Sequence, residues 1–321
     1  MNLVNKEIEN IFNKYRETSD SIEMVAYMWS AVLTSFTKWI LAKRKNNEKI
    51  FFLARDFYIP YIIARDYLNA DNVYYLRINR RSLMPILLKL MKNPIIHSKI
   101  NNAFTKFEQQ EFCKNNSIDE ILKYLNQYNI QNNDFIADIG YSGLQQKVLE
   151  SVLHIKLQGF VIKKDLRCLN TKLTPFILSN SLESKAISEM IIGSDEDEVI
   201  RYENGEPIFS EVAKIKKDVS RKMTDLILSK VPDFLPYNIP QKDCSTLIRS
   251  TTLNCDKKLL DFYNMKIFPG SRTFESCINF DIDKIKNGEI KTLYKNSHAK
   301  RLFRQMLFEN KELSHLRKSL M

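Results

Sequence analysis

Three short polar stretches hold the residues best suited to chemistry on an anion. In the run Phe135 to Gln146 (FIADIGYSGLQQ), Asp138 is followed by Gly140, Tyr141, Ser142 and Gly143. Glycine is scarce, seven in 321 residues, and two stand in this one turn. The backbone there is expected to approach something that side chains would hold away, and a phosphate fits best. Helix-start N–H groups would face it, Ser142 would add a donor, and Asp138 would bind sugar hydroxyls or a magnesium shell. The second stretch is Arg55-Asp56, in Ile50 to Tyr58 (IFFLARDFY), and the third is Arg80-Arg81, in Asn79 to Ser82 (NRRS). Guanidinium stays charged and takes phosphate oxygens in pairs, so three arginines at one edge would suit a polyphosphate. The plain alternatives are a tight strand-to-helix joint and surface ion pairs, and the spacing matches neither a dinucleotide nor a Walker fingerprint.

The elements that must carry these residues follow from apolar patterning. Ile50 onward reads as a strand, Phe57 to Leu68 as a helix, and Val73 to Ile78 as a second strand, a βαβ unit that implies a parallel sheet. A second unit follows, with strand Phe135 to Ile139, the glycine turn, helix Leu144 to Leu153, and strand Leu157 to Ile162. Parallel strands put their C-terminal ends on one edge, so the three stretches are expected to converge on one cleft there. Val25, Met28, Trp29, Val32, Phe36, Trp39 and Ile40 recur at helical spacing before the first strand, as core. Residues 83–130 read as helices, with Ser117 and Glu120 fitting a capping box. Beyond Pro175 the pattern loosens, with an acidic run Asp195 to Glu198 and an Asn204-Gly205 turn joining Val199–Glu203 to Pro207–Phe209 as a hairpin.

Composition excludes several classes. An apolar content of 44% over 321 residues supports a large core and argues against disorder. Five widely spaced cysteines without a CxxC pair support neither a disulfide framework nor a zinc site, so a cytoplasmic location is expected. The longest uncharged apolar stretch, Met24 to Thr37, is 14 residues, short of the roughly 20 that span a bilayer. Net charge is +11, and from Lys284 to Met321 ten Lys/Arg stand against three Glu. Such a tail could meet nucleic acid, acidic polymers or, through residues 296–321, an anionic membrane face, the plain alternative being a solvated helix face. Asp281 and Asp283 read as a helix-start pair or a D-x-D metal pair, and the four histidines lack metal-ligand spacing.

The order of these pieces resembles the type I phosphoribosyltransferases, whose D-x-x-x-T-G-G-T loop is matched by Asp138, Ser142 and Gly143. It is more closely similar to phosphoribosyltransferase-like domains of bacterial surface-polysaccharide loci, often fused to a haloacid dehalogenase-class phosphatase. Their Trp-containing helix, F-L-A-R-D-G-Y loop, S-R-R-like turn and D-I-G-W-x-G-x-x-Q segment correspond to Phe36–Leu41, Phe52–Tyr58, Asn79–Ser82 and Asp138–Gln146, within residues 25–210. The resemblance implies transfer of 5-phosphoribosyl from phosphoribosyl pyrophosphate to a glycan or lipid-linked glycan acceptor in polysaccharide (O-antigen or capsule) synthesis, with Mg2+ and a separate phosphatase acting next. No nucleic acid is implied as partner. It assigns Arg55, Arg80 and Arg81 to the pyrophosphate and Gly140, Tyr141, Ser142 and Gly143 to the 5-phosphate. Asp138 is assigned to catalysis and, directly or through water, to Mg2+. Glu189 would line the acceptor side.

Departures narrow the expectation. Phe57 stands where relatives have glycine, Tyr141 where nucleotide-forming relatives carry an acidic base, and Leu144-Gln145 replace Gly-Thr. Loss of that base argues against salvage of a nucleobase and leaves a hydroxyl acceptor in need of another base, for which Asp56 is the candidate, with Arg55 beside it. A salvage-type phosphoribosyltransferase and a non-catalytic sugar-phosphate or partner-binding domain are the alternatives. The expected architecture is α/β: N-terminal helices over residues 1–48 packing on a parallel-sheet, Rossmann-like phosphoribosyltransferase core over 49–175. An acceptor-side region with the hairpin and basic helices fills 176–321.

Overall fold

The parallel sheet forms where apolar, aromatic and β-branched runs recur between helices. The computed structural model describes residues 3–18, 20–45, 47–139, 142–164, 168–169, 171–177, 188, 191–210 and 214–253. Helices α1 (Lys6–Thr18) and α2 (Ser21–Lys43) come first. Strand β1 (Ile50–Leu53), helix α3 (Tyr58–Ile62) with a π-helical turn over Ile63–Tyr67, and β2 (Val73–Leu76) make the first βαβ unit. Helices α4 (Met84–Lys89), α5 (Pro94–Ala103), α6 (Lys106–Lys114) and α7 (Ile118–Asn126) lead to β3 (Phe135–Asp138), α8 (Leu144–Leu153), β4 (Gln158–Lys163) and β5 (Leu173–Ile177). A hairpin, β6 (Val199–Glu203) and β7 (Glu206–Phe209), precedes α9 (Lys214–Ser229) and α10 (Gln241–Leu253).

The five strands pair in the order β2-β1-β3-β4-β5, all parallel, so the α/β, Rossmann-like class is as expected. Both faces are covered, which is why the strands read as continuous apolar runs instead of alternating ones. Phe51, Leu53, Leu76 and Ile136 belong to one core cluster with residues of α4, α5, α7 and α8. On the other face the Phe36 ring meets Phe57 at 5.2 Å and Phe176 at 5.6 Å, and Trp39 meets Phe160 at 5.5 Å. Burying Phe36, Phe57 and Phe176 this fully contributes roughly 1.5–3 kcal/mol each.

Three local details depart from the sequence reading. Strand β5 contains Pro175, which cannot donate to a ladder. It is tolerated because β5 is the sheet's edge and pairs only with β4. In α2 every residue from Met24 to Thr37 is buried, the hydroxyl side chains Ser30, Thr34 and Thr37 included, so the helix is enclosed on all sides and not on one stripe. Ser117 does cap α7, through Asp119 N–H, but Glu120 accepts from Gly205 N–H at 3.1 Å instead of closing a box; the box forms at Thr105 and Glu108.

The chain divides, among the described residues, into two compact units, one built on Phe36–Ser179 with Gly193–Ala213 and holding the sheet. The other includes α1, the first part of α2, α9 and α10. Within it the rings of Phe12, Tyr27 and Phe234 form a cluster with centroids 4.7 to 5.8 Å apart. Buried Asp243 accepts from Val4 N–H (2.7 Å) and Asn5 N–H (3.0 Å), and burial pushes the neighbouring Cys244 thiol up to about 12. No helix among the described residues is long and apolar enough to cross a membrane.

The hairpin turn forms as expected, with φ of 52° at Asn204 and 79° at Gly205, the pair of positive angles that such a turn requires. A Cβ at Gly205 would also meet Gln127 Nε2 at 2.8 Å, the group that donates to the Gly205 carbonyl at 2.7 Å. Gly205→Ala is therefore expected to destabilise the protein by about 1–2 kcal/mol, measured as a lower urea midpoint with unchanged slope.

Candidate functional site

The strand order reverses between β1 and β3. From β1 the chain crosses through α3 to β2 on one side, whereas β3 lies on β1's other side and continues through α8 to β4. Loops leaving such a pair diverge and open a crevice beyond the strand ends, where α/β sheets bind ligands. Phe52 pairs with Ala137, so the next residues, Leu53 and Asp138, stand at one level of that edge. The Arg55-Asp56 loop and the end of β3 at Asp138 thus lie side by side at that edge.

The β1 loop is held at both ends. Ala54 N–H donates to Leu76 O (3.0 Å), Phe57 N–H donates to Leu53 O (3.1 Å), and Ser194 N–H donates to the Arg55 carbonyl (3.2 Å). The Ala54–Arg55 peptide is cis. Phe57 has φ −109°, a value open to any residue, and its fully buried ring turns into the core against Phe36. Its side chain consequently leaves the loop's outer face to Arg55 and Asp56, both half-buried.

At the end of β3, Asp138 and Ser142 are buried, and the Ser142 carbonyl accepts from Leu169 N–H at 3.0 Å. Gly143 precedes α8 in the left-handed region, φ 69°, and no side chain caps the helix. The first α8 N–H to find a backbone acceptor in the helix is that of Lys147, on Gly143 O (2.9 Å), which leaves the preceding turn's donors facing the crevice end. Gln146, the last residue of the motif, serves the framework instead. Its amide donates to Leu157 O (2.9 Å) and Glu150 Oε1 (3.2 Å), fixing α8 to the start of β4. Gly140, Tyr141 and Glu189 lie outside the described residues, as do Asp281, Asp283 and the basic tail.

The turn after β2 is placed differently from the other two. Arg80 is exposed with its guanidinium 5.9 Å from the Phe104 ring, and Arg81 lies 4.7 Å from the Phe112 ring and 3.6 Å from Glu198. Arg77, which the sequence pattern places inside a strand, stands nearer the sheet edge. Its Nε and a terminal nitrogen donate to Glu196 Oε1 at 3.1 and 2.7 Å. Burial pulls the Arg77 pKa down, but the hydrogen bond and charge of Glu196 outweigh it and hold the group above its ordinary value. Burial, and then the charges of Glu196 and Asp195, push the neighbouring Tyr58 hydroxyl up, and Tyr75 is raised in the same way by burial and Glu196. The acidic run thus folds onto the ends of β1 and β2, with Tyr202 Oη donating to Arg77 O (2.7 Å) and Asn79 Nδ2 to Val199 O (2.8 Å).

The arrangement offers two cationic side chains near the edge, one buried carboxylate and an uncapped helix start, a set suited to an anionic sugar phosphate. Among the described residues no cluster of three metal-ligating side chains occurs. Asp138 alone suits a Mg2+ that arrives with substrate phosphates, since that ion commonly uses one or two carboxylates and takes its other ligands from phosphate and water. No protein-family model matches the sequence, and no curated protein matches it.

Proposed function

We propose that this chain is a glycosyltransferase that moves 5-phosphoribosyl from phosphoribosyl pyrophosphate to a hydroxyl of a glycan acceptor and releases pyrophosphate. The observation that carries this reading is the meeting, at the β1/β3 reversal, of the Arg55-Asp56 loop with Asp138 at the end of β3, Ser142 and the Gly143 start of α8 following. The α8 N–H groups and Ser142 would bind the 5-phosphate, Asp138 the ribose side, and Arg55 the pyrophosphate, with Arg80 and Arg81 as further candidates. Asp138 would hold a Mg2+ ion, whose charge would neutralise the leaving group.

In the transfer step the acceptor oxygen forms a bond to the anomeric carbon as the bond from that carbon to pyrophosphate breaks. The electron pair leaves with pyrophosphate, the acceptor proton passes to a base, for which Asp56 is the candidate, and the configuration inverts. The product still carries its 5-phosphate, so a phosphatase is expected to act next. The basic segment 296–321 would hold the enzyme at an anionic membrane face near lipid-linked acceptors.

Incubation of the full chain with Mg2+, phosphoribosyl pyrophosphate and a panel of glycan and nucleobase acceptors tests the reading. Acceptor-dependent pyrophosphate release with glycans is the expected result. Release with a free base alone would replace the reading by a salvage reaction.

A further inference from the structure

The acidic run Asp195 to Glu198 lies on the ends of β1 and β2, and so shares the end of β1 with the place that the proposed function assigns to an anionic donor. Its attachment has four parts. Ser194, fully buried, donates its N–H to the Arg55 carbonyl; Glu196 takes two hydrogen bonds from Arg77; Glu198 faces Arg81 at 3.6 Å; and Val199 O accepts from Asn79. The Arg77 guanidinium is stacked between the Tyr75 ring at 5.3 Å and the Phe209 ring at 6.0 Å, so its fork is aimed by packing before any ligand arrives.

This closure leaves hydrogen bonds unmade. Glu196 Oε2 and Arg81 Nε are shut off from solvent without a well-formed hydrogen bond, and the Tyr75 hydroxyl, on a residue 6% exposed, is enclosed against Ser194 and Glu196. Polar atoms in that state are costly relative to their hydrated form. Opening of the run would wet all three, whereas the two guanidinium groups it releases are themselves strong ligands for phosphate oxygens. The Arg77 side chain is 37% exposed and that of Arg81 33%, so neither is sealed away from a competing anion.

We infer that Arg77, with Arg81 beside the same acidic run, forms a pyrophosphate-binding site that Glu196 and Glu198 occupy in the free protein as internal anions. The ligand class is a di- or polyphosphate, whose charge displaces the two carboxylates. The inference rests on the proposed donor chemistry, deepening it by naming an arginine pair and a competitor.

Calorimetric titration of the full chain with inorganic pyrophosphate tests it, in the wild type, Glu196→Gln, Arg77→Lys and Arg77→Ala. Gln keeps the length and an acceptor for Arg77 but removes the charge, so Glu196→Gln is expected to bind pyrophosphate about tenfold more tightly. Arg77→Ala is expected to weaken binding by about tenfold or more, with Arg77→Lys, which keeps the charge and loses the fork, between the two. Thermal melting of each variant shows that it is folded. Glu196→Gln binding no more tightly than wild type, or neither binding at all, overturns the inference. Failure of glycan transfer with tighter pyrophosphate binding by Glu196→Gln would overturn the proposed reaction and leave this site standing.

Discussion

Asp138→Asn is expected to reduce acceptor-dependent pyrophosphate release by at least about a hundredfold while the melting temperature moves by no more than a few degrees. Asp138 ends β3 at the reversal of strand order, is buried, and pairs with Val161 of β4. Asparagine matches the carboxylate in size, so the packing of the strand end survives. What it removes is the negative charge that, in the proposed reaction, would attract Mg2+ with its phosphates and accept from ribose hydroxyls. Steady-state assays separate the two uses. Loss of donor affinity appears in KM at low Mg2+ and recovers in part as Mg2+ is raised, whereas loss of transition-state stabilisation lowers kcat at every Mg2+ concentration. An Asp138→Asn variant with wild-type kcat and KM would remove Asp138 from the site.

Gly143→Ala is expected to destabilise the protein by about 2–5 kcal/mol, the sum of a left-handed backbone cost and an overpacking cost. The glycine has φ 69°, and a Cβ there would collide with Thr171 Oγ1 and meet Leu173 Cδ1 at 2.9 Å. Two causes with different remedies can be told apart by Gly143→Asn. Asparagine adopts a positive φ more readily than alanine, so it would recover stability if the backbone angle were the whole cost. Because the collision with Thr171 and Leu173 remains, no recovery beyond about 1 kcal/mol is expected in urea denaturation. The same variants should weaken donor binding, since the residue that cannot be substituted also sets the direction in which the first α8 N–H groups point.

The strand ends are legible in the sequence because their apolar runs are short, continuous and followed at once by charge or glycine. Strand β3, the turn and α8 read as Phe135–Ile139, Gly140 to Gly143 and Leu144–Leu153, and the structure has Phe135–Asp138 and Leu144–Leu153. Edge strand β5 is not legible, because Pro175 in its middle reads as a breaker until its edge position is known. Among the candidate site residues, Arg55, Asp56, Asp138 and Ser142 announce themselves by following a strand. Arg77 does not, because the apolar run it terminates continues on to Ile78. Its partner Glu196 is 119 residues away, and no local pattern ties an acidic run to a guanidinium at that separation. Phe57 shows the converse: a residue that looks disruptive for a loop proves to be a core side chain anchored on Phe36.

Donor binding at the β1/β3 reversal is tested most directly by calorimetric titration of the full chain with phosphoribosyl pyrophosphate in the presence of Mg2+. The expected result is saturable binding at one site per chain, competed by inorganic pyrophosphate and abolished by Asp138→Asn. Absence of binding heat at millimolar donor, with the protein folded by thermal melting, would contradict it.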